Sequence, residues 1–436
     1  MSGALQVVYM NQRSFVPPIA YFIGILGGSA VDEGYGIALD SSDNFYVFGQ
    51  STNSGTTDGQ LAKYDKSGVI QWQRRFGLAA STNYGRGVAV DSSNNIYACS
   101  RLDDATGQYL GLVKYNSSGT IQWQKKLGDV PTFTAAGYKV TVDSSNNIYV
   151  TGETNTPGLA SILLAKYNTS GAVQFQRTLT NVLGDYAEGI DTDSSGNIYV
   201  AGYGFNFGES LNIILAKYNS SGTIQWQRKL VTANSERLNS LAVDSSGNSY
   251  GVGNANNSGT TDIQIVKYNS SGTIQFQRIL GGAVGQTTGQ SIILDSANNF
   301  YVCGSTLNSG NFRIQLAKYN SSGTIQWQRK LGSSSGNTTG FSIAVDSTDN
   351  LYICAQTAVS GTTDFFIAKL PSDGSLTGTY TLSGYSFVYE ATTLTDSTST
   401  LTESAAGYTD AASSLSESNS ALTDAASTLT STVTTL

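Results

Sequence analysis

The chain has 436 residues, of which 39% are hydrophobic and 13% charged, with 48 glycines, 5 prolines and a net charge of -7. Such a chain is long enough for a large core, and its many glycines are typical of tight turns rather than long helices. The acidic balance argues against nucleic acid as a partner, because no chain-wide field attracts phosphates. The lack of histidine excludes the commonest general base and metal ligand, and every histidine-activated nucleophile.

The sequence predicts a soluble protein without membrane insertion. No apolar run approaches the roughly 20 residues that span a bilayer, and the first residues lack the basic start of a secretory signal. Cys99, Cys303 and Cys354 each lie eight residues after an Asp that opens a repeated turn. We therefore expect three separate buried thiols rather than a disulfide.

The chain begins with a segment, residues 1–16, that lies outside any repeat. Its first fifteen residues read Met-Ser-Gly-Ala-Leu-Gln-Val-Val-Tyr-Met-Asn-Gln-Arg-Ser-Phe. They resemble the leader of tail-associated structural proteins of marine bacteriophages, where it is joined to unrelated downstream modules. The resemblance implies an attachment segment of a virion protein. The alternative interpretation is an N-terminus without a specific role.

The next segment predicts how the fold closes. Residues 22–28, Phe-Ile-Gly-Ile-Leu-Gly-Gly, align with residues 276–282, Phe-Gln-Arg-Ile-Leu-Gly-Gly, at the end of a later repeat. We interpret the earlier segment as a fourth strand that lacks its own first three. The corresponding residues 375–378 carry no aromatic side chain, so we expect the N-terminal strand to complete the last repeat.

Residues 17–382 contain seven copies of one unit. An Asp opens a turn of the type Asp-Ser-Ser-x-Asn-x-Tyr in every copy, at steps of 50 to 52 residues: Asp40, Asp91, Asp143, Asp193, Asp244, Asp295 and Asp346. A second marker is a Lys, usually followed by Tyr-Asn-Ser-Ser-Gly, at Lys63, Lys114, Lys166, Lys217, Lys267, Lys318 and Lys369. We expect this Lys to face solvent near the rim, where it would discourage edge pairing.

Each unit is interpreted as four short strands. An apolar strand precedes the Asp turn and is expected to be innermost, a β-branched and aromatic strand follows the turn, and Leu-Ala-Lys-Tyr and Thr-Ile-Gln-Trp-Gln-Arg-Lys-Leu supply the other two. The sequence thus predicts an all-β, seven-bladed β-propeller of four-stranded blades. An aromatic ring four residues after a Gly is expected to pack between neighbouring blades, at Trp72, Trp123, Phe175, Trp226, Phe276 and Trp327.

Residues 192–202, Thr-Asp-Ser-Ser-Gly-Asn-Ile-Tyr-Val-Ala-Gly, carry a family resemblance. They resemble the seven-bladed β-propeller repeats with the consensus Val-Ala-Val-Asp-Ser-Ser-Gly-Asn-Ile-Tyr-Val-x-Gly, and the resemblance covers about residues 17–382. It implies the fold and no single activity. The Gly-x-x-x-Trp spacing also resembles the blade-docking motif of quinone-dependent propeller dehydrogenases, but no cofactor-binding or calcium-binding set matches, so we expect no cofactor and no metal.

The C-terminal segment, residues 383–436, is rich in Ser, Thr and Ala. An apolar residue recurs at every seventh position: Leu394, Leu401, Tyr408, Leu415, Leu422, Leu429 and Leu436. A period of seven is typical of a coiled-coil seam, which predicts a helical stalk that makes a homo-oligomer. Ser and Thr are mediocre helix formers, so disorder and a β-type repeat remain as alternatives.

The predicted loops differ between the two faces of the propeller. Asp-Ser-Ser and Asn-Ser-Ser turns share one face, whereas the loops of the other face differ from blade to blade, and recognition needs such chemically distinct groups on a rigid frame. The ligand-binding candidates on the variable face are Asp32, Glu33, Tyr35, Tyr84, Arg86, Asp103, Asp104, Tyr109, Tyr138, Tyr186, Glu188, Tyr203, Phe205, Phe207 and Arg237. Asp191 is a further candidate, because it is the one charged residue at its inner-strand position.

These patterns favour a binding or structural protein without enzymatic activity. The leader, the repeat and the tail together predict a phage virion appendage, located in the virion, that binds a host-surface glycan or protein receptor and contacts other virion proteins. The alternatives are a polysaccharide lyase or glycosidase using Asp32, Glu33, Glu188 or Asp191, and a bacterial surface scaffold.

Overall fold

A computed structural model describes residues 21–435 except 54, 78–81, 129–133, 156–158, 181–183, 206–209, 232–233, 258, 283–284, 400–401, 406–408, 413–416, 420–422 and 427–429. The leader, residues 1–16, lies outside the described residues. The described chain is all-β and forms seven antiparallel sheets, one for each repeat. This confirms the predicted seven-bladed propeller with four-stranded blades.

The first strand of each blade lies innermost, and the blades are numbered 1 to 7 in the chain order of these strands: Asp32–Leu39, Thr82–Val90, Ala135–Val142, Asp185–Thr192, Glu236–Val243, Thr287–Leu294 and Thr338–Val345. The second strands are Phe45–Asn53, Ile96–Asp104, Ile148–Thr154, Ile198–Gly204, Ser249–Asn257, Phe300–Asn308 and Leu351–Thr357. The third strands are Thr56–Tyr64, Gly107–Tyr115, Ser161–Tyr167, Asn212–Tyr218, Thr260–Tyr268, Asn311–Tyr319 and Asp364–Leu370. The fourth strands of blades 1 to 6 are Ile70–Gly77, Ile121–Leu127, Val173–Thr180, Ile224–Val231, Ile274–Gly281 and Ile325–Ser333.

Blade 7 takes its fourth strand from the N-terminal end of the described chain. Phe22–Gly27 pairs antiparallel with Asp364–Leu370, with Phe22 opposite Lys369. The predicted closure of the last blade is therefore confirmed. Because this strand joins residues more than 300 positions apart in sequence, it locks the ring against opening at one blade boundary.

The repeated Asp organises the turn between the first and second strands. Asp40 accepts hydrogen bonds from the backbone N–H groups of Ser42 (2.9 Å) and Asn44 (3.0 Å), from the Asn44 side-chain amide (2.9 Å) and from the Tyr46 hydroxyl (3.0 Å). Burial opposes ionisation of Asp40, but these hydrogen bonds outweigh it and lower the pKa of the carboxyl. The bonds from the backbone and the Asn side chain recur in every blade, and the tyrosine bond recurs in blades 1 to 6, which explains why the unit repeats so strictly.

The aromatic residue of each fourth strand packs on the next blade, as predicted. Gly119 holds a left-handed backbone with φ near 76°, and a Cβ there would lie 2.9 Å from the Trp72 ring. The Trp72 indole N–H also donates to the Ser117 carbonyl at 3.2 Å. Phe22 packs in the same way on Gly68, so the blade 7–blade 1 boundary uses the same contact as the others.

The recurring Lys of the third strand does not face solvent at the rim. Lys114, Lys217 and Lys369 are all less than 10% exposed. Lys114 lies over the Tyr97 ring, 5.3 Å from its centroid, and donates to the Thr169 carbonyl of the next blade at 3.1 Å. The expectation of a solvent-facing rim Lys is wrong, because its stem covers a buried tyrosine and its ammonium group bridges two blades.

The described part of the C-terminal segment consists of strands. A hairpin, Gly378–Leu382 and Tyr385–Ala391, pairs with the fourth strand of blade 6. Six further strands then cover blades 5, 4, 3, 2, 1 and 7 in that order: Thr395–Thr398, Thr402–Ala405, Thr409–Ala412, Glu417–Asn419, Thr423–Ala426 and Thr430–Thr435. Together with Tyr385–Ala391 they form what we call the belt, which adds an outermost strand to every blade.

The belt keeps one register around the whole ring. The same fourth-strand position, four residues after the aromatic, pairs with belt residues at steps of seven: Leu331 with Tyr389, Leu280 with Asp396, Leu230 with Glu403, Leu179 with Asp410, Leu127 with Glu417, Phe76 with Asp424 and Leu26 with Ser431. Seven residues of the belt therefore span the distance from one blade to the next. This corrects the predicted coiled-coil stalk in favour of the β-type alternative: Thr-rich segments with one large apolar residue in seven suit short edge strands better than a helical seam.

The core consists of clusters between adjacent blades, built from buried tyrosines and aliphatic side chains of the second and third strands. The three cysteines are free and buried within these clusters, as expected. In the part of the chain that the structure describes, no helix has the length and apolar character needed to cross a bilayer.

Candidate functional site

Every inner strand carries a β-bulge at the same place. The pairing of the first and second strands shifts register between Gly34 and Gly36 in blade 1, and at the equivalent position in each other blade. A bulge leaves one residue unpaired and redirects its side chain. The seven bulge residues are Tyr35, Arg86, Tyr138, Glu188, Asn239, Gln290 and Phe341.

The bulge residues line one cavity on the central axis. Its volume is about 250 Å³, and Lys139 and Arg237 complete its wall. All seven blades contribute to this wall, so the positions of the side chains are fixed by the whole ring rather than by one loop. We call this cavity and the side chains around it the cup.

A second tier of residues lies two positions before each bulge, opposite a partner on the second strand. In blades 1 to 5 these pairs hold charged or aromatic groups: Glu33 with Gln50, Tyr84 with Arg101, Ala136 with Glu153, Tyr186 with Tyr203, and Arg237 with Asn254. Blades 6 and 7 instead carry Thr288 with Ser305 and Thr339 with Gln356. The cup is therefore chemically one-sided, with its distinctive groups on blades 1 to 5.

Aromatic contacts hold the two tiers together. The Arg86 guanidinium lies over the rings of Tyr35 and Tyr84, 4.9 and 5.8 Å from their centroids. Tyr35 packs edge-on against Phe341 at 5.1 Å. Stacking of an arginine between two rings pre-organises it without using its hydrogen-bond donors.

Two tyrosine hydroxyls on the cup are held by carboxylates. Tyr35 donates to Glu33 at 3.0 Å, and Tyr138 donates to Glu153 at 2.7 Å. Burial and the neighbouring carboxylates raise the pKa of both tyrosines, that of Tyr35 to about 12. Both hydroxyls therefore stay protonated near neutral pH.

Burial disfavours the charged forms of Glu188 and Lys139. Burial raises the pKa of the Glu188 carboxyl, although Lys139, Arg86 and Arg237 oppose the shift. Burial likewise lowers the pKa of the Lys139 ammonium, although Glu188 opposes that shift. The site thus keeps two ionisable groups of opposite charge partly buried on the wall of one cavity.

Several predicted site residues come together in the cup. Tyr35, Arg86, Tyr138 and Arg237 line the cavity, and so does Glu188. Glu33, Tyr84, Tyr186 and Tyr203 belong to the second tier, where the Tyr186 and Tyr203 rings stack with centroids 5.2 Å apart.

Asp32 and Asp191 have structural positions instead. Asp32 is fully buried and accepts a hydrogen bond from the Gly28 N–H at 2.9 Å. Asp191 accepts from its neighbour Thr192 and from the N–H of Val243 on the next blade, both at 2.8 Å. Burial raises the pKa of each carboxyl to about 6.

The remaining predicted residues lie away from the cavity. Asp103 pairs with Arg101 at 2.6 Å, and Asp104 pairs with Lys126 at 2.7 Å, so both carboxylates are engaged within blade 2. The ring of Tyr109 is buried beneath the Lys126 ammonium, 3.3 Å from the ring centroid. Phe205 is 40% exposed on a loop of blade 4, and Phe207 lies outside the described residues.

Sequence reasoning missed Lys139, Asn239, Gln290 and Phe341 as cup residues. A signal for three of them exists in the sequence: the position five residues before each repeated Asp holds a different kind of side chain in nearly every copy, while its neighbours stay apolar or small. Lys139 is found by the same alignment, because the next position is Gly or Ser in the other six copies. Among the described residues, no three His, Cys, Asp or Glu side chains cluster as metal ligands would.

Comparisons with known families agree with this architecture. A family model described as "Beta-propeller repeat" matches residues 127–158, 275–313 and 326–361, and one described as "Domain of unknown function (DUF5122) beta-propeller" matches residues 194–224. No curated protein has a matching sequence. The seven blades and these matches identify the chain as a β-propeller repeat protein, a class that hosts many functions.

Solved structures resemble the chain in fold at low sequence identity. Sqt1 of Chaetomium thermophilum is 11% identical with a TM-score of 0.44, covering 82% of this chain and 98% of its own. A polysaccharide lyase, an ulvan lyase bound to -[GlcA(1-4)Rha3S]-, is 11% identical with a TM-score of 0.48, covering 81% and 96%. A protein of unknown function from Dyadobacter fermentans is 10% identical with a TM-score of 0.44, covering 66% and 95%.

Proposed function

We propose that the protein is a non-enzymatic binding protein whose cup on the propeller axis recognises a saccharide of a host-surface glycan. The observation that carries the proposal is the ring of seven bulge residues, which are of six different kinds in an otherwise uniform repeat. Fold stability alone does not require this diversity, because the turns a few residues away are nearly identical in all blades.

The chemistry of the cup suits a saccharide better than an apolar ligand or a peptide strand. Its wall alternates aromatic rings with amide and charged groups, and its volume of about 250 Å³ is below the range of drug-sized pockets and suits one sugar unit. Tyrosine rings offer a flat apolar face to a pyranose, while the amides of Asn239 and Gln290 can bond its hydroxyls.

The proposal places this binding protein in a phage virion appendage. The support is the resemblance of residues 1–16 to leaders of phage tail-associated proteins, with other virion proteins as the attachment partners. The homo-oligomer stays a prediction, although the described strands of the tail pair with blades of the same chain rather than with a second copy. A virion location is tested by mass spectrometry of purified particles, with and without residues 1–16.

Catalysis is the weaker proposal, because two of the four candidate carboxylates make hydrogen bonds to the backbone away from the cavity. Of the four considered, Asp32 and Asp191 are tied to backbone N–H groups, and only Glu33 and Glu188 belong to the cup. A glycosidase needs two carboxyls flanking one bond. Release of oligosaccharides from host polysaccharide, abolished by Glu188→Gln, would overturn the non-enzymatic assignment.

The direct test is a glycan array with the full chain, followed by calorimetric titration of the best ligand. Tyr186→Ala removes one of the two stacked rings and is expected to weaken binding by roughly tenfold, the value of about one aromatic contact. Tyr385→Ala on the outer hairpin is the matched control and should bind normally. If no glycan binds, or if both variants bind equally to the parent, the cup is not a saccharide site.

A further inference from the structure

Three cations and one carboxylate line the cavity. They are Arg86, Lys139, Arg237 and Glu188, contributed by blades 2, 3, 5 and 4. This excess of cations at the wall contrasts with the net charge of -7 of the whole chain. The wall of the cavity therefore differs in the sign of its charge from the whole chain.

These three cations form no ion pair within the part of the chain that the structure describes. Among the described residues, no carboxylate lies within ion-pair distance of Arg86, Lys139 or Arg237, and the buried Nε of Arg86 lacks a hydrogen-bond partner. By contrast, Arg101 of the second tier and Lys126 on the fourth strand of blade 2 are each paired with an Asp at 2.6 to 2.7 Å. Partly buried donors without an ion-pair partner in the protein are available to a ligand that supplies acceptors.

The nearby carboxylates do not fill this role. Glu33 and Glu153 accept hydrogen bonds from Tyr35 and Tyr138, and among the described residues neither forms an ion pair with the three cations. Glu188 is the remaining acid on the cavity wall; burial raises the pKa of its carboxyl, and Lys139, Arg86 and Arg237 oppose that shift, so one carboxylate faces three cations. The guanidinium of Arg86 is already held between two rings, ready to bind two oxygens of one anionic group.

Building on the proposed saccharide-binding function, we infer that the ligand is an acidic glycan whose anionic oxygen group, a carboxylate or a sulfate ester, is bound by Arg86, Lys139 and Arg237. The aromatic residues of the cup then hold the sugar ring, and the cations provide the selectivity for acidic over neutral sugars. Charge-assisted hydrogen bonds are about twice as strong as neutral ones, so this contact should dominate affinity.

The experiment measures affinity of the full chain for two matched pairs of probes by calorimetry. One pair is an oligouronate and its carboxyl-reduced counterpart, and the other is a sulfated oligosaccharide and its desulfated counterpart. We expect one acidic probe to bind at least about tenfold more tightly than its neutral partner, with affinity that falls as salt rises. The pair that shows the preference identifies the anionic group.

Two variants install residues that other blades already carry at the same place, so folding should be preserved. Lys139→Ser copies Ser240, Ser291 and Ser342, and Arg237→Thr copies Thr288 and Thr339. Each should reduce affinity for the acidic probe by about tenfold and leave the neutral probe unaffected. Lys66→Ser, an exposed lysine on the opposite face, is the matched control and should change neither.

The outcomes separate this inference from the proposed function. Equal affinity for acidic and neutral probes overturns the acidic-glycan inference and leaves saccharide binding intact. An acidic preference that Lys66→Ser reduces as much as Lys139→Ser also overturns it, because the contact would then be nonspecific. Binding to none of the four probes overturns the inference, and failure across the whole glycan array overturns the proposed function with it.

Discussion

Each inner strand has a nearly identical sequence in all blades at its C-terminal turn and a variable residue at its bulge. At the turn that follows the strand, Asp40 and its six equivalents accept a hydrogen bond from the backbone N–H two residues later in every blade. At the bulge five residues earlier, six kinds of side chain from seven blades line one cavity, and the buried Nε of Arg86 has no hydrogen-bond partner among the described residues. The turns serve the fold, and the bulges are left available for a ligand.

The largest effect on stability is expected at the closure of the ring. Phe22→Ala removes a buried ring that stacks on Phe45 at 5.9 Å and covers Gly68. Because a fully buried ring is lost at the blade 7–blade 1 boundary, the free energy of unfolding should fall by about 3–5 kcal/mol. Chemical denaturation measures this, with exposed Val69→Ala as a control that should change little. A loss below about 1 kcal/mol would show that closure does not limit stability.

The next largest effect on stability is expected at the Asp turn between the first and second strands. Asp40→Ala leaves Tyr46 and Asn44 without their acceptor, and the free energy of unfolding should fall by about 2–4 kcal/mol. Ser42→Ala, whose side chain is exposed in the same turn, should be nearly neutral. Glycan affinity of both variants should match the parent. A fall in affinity for folded Asp40→Ala would contradict the separation of the two ends of the strand.

The belt is expected to contribute to the stability and solubility of the propeller. Deleting residues 392–436 uncovers the outer edges of six blades, where the belt strands pair. We expect a folded propeller with a melting temperature lower by several degrees and greater self-association, because exposed edges pair with other chains. Light scattering and thermal melts of both chains at matched concentration measure this. An oligomer that becomes monomeric on truncation would instead restore the coiled-stalk hypothesis.

Asp191 is expected to make the free energy of unfolding depend on pH. Its folded-state pKa of about 6 lies above the usual carboxyl value, so the folded protein holds this proton more tightly than the unfolded chain. Its contribution to stability is therefore fully present at about pH 4 and is lost as the pH rises through about 6. Asp191→Asn should flatten this slope in denaturation curves recorded at several pH values. An unchanged slope would assign the effect to another group, with Asp32→Asn as the comparison.

The smallest effect on stability is expected within the cup. Lys139→Ser removes an enclosed ammonium whose pKa burial lowers, so the free energy of unfolding should stay the same or rise by about 0.5 kcal/mol. The Lys66→Ser variant serves again as the reference. A clear loss of stability would mean that Lys139 supports the fold, and the contrast between turns and bulges would weaken.

Most of the fold could be predicted from the sequence, because the repeat appears seven times and its turn chemistry is local. Even the long-range closure was visible, since Phe22 has the same neighbours in sequence as Phe276. The cup was predicted only in part. Asn239 and Gln290 face the axis because each lies at a β-bulge. A bulge is a shift in the pairing of two strands, so the sequence of one strand alone does not reveal it.

The tail shows a different limit of sequence reasoning. A period of seven describes two turns of a coiled coil, but it also describes the chain length from one blade edge to the next. The Leu394 series cannot distinguish these, because both arrangements give the sequence the same period of seven. Only the seven matching partners on the fourth strands, from Leu331 to Leu26, decide between them.

The position of the last belt strand has a mechanical consequence. Thr430–Thr435 pairs antiparallel with Phe22–Gly27, with Thr435 opposite Phe22. The C-terminal end of the first strand therefore lies beside the N-terminal end of the second. Force that separates these two ends opens the hydrogen bonds one after another rather than loading them together. Once that strand is released, the same pull reaches strands of only three to seven residues on blades 1 to 6 in turn. Tension would therefore unwind the belt in a series of small, similar steps while the propeller beneath it stays closed.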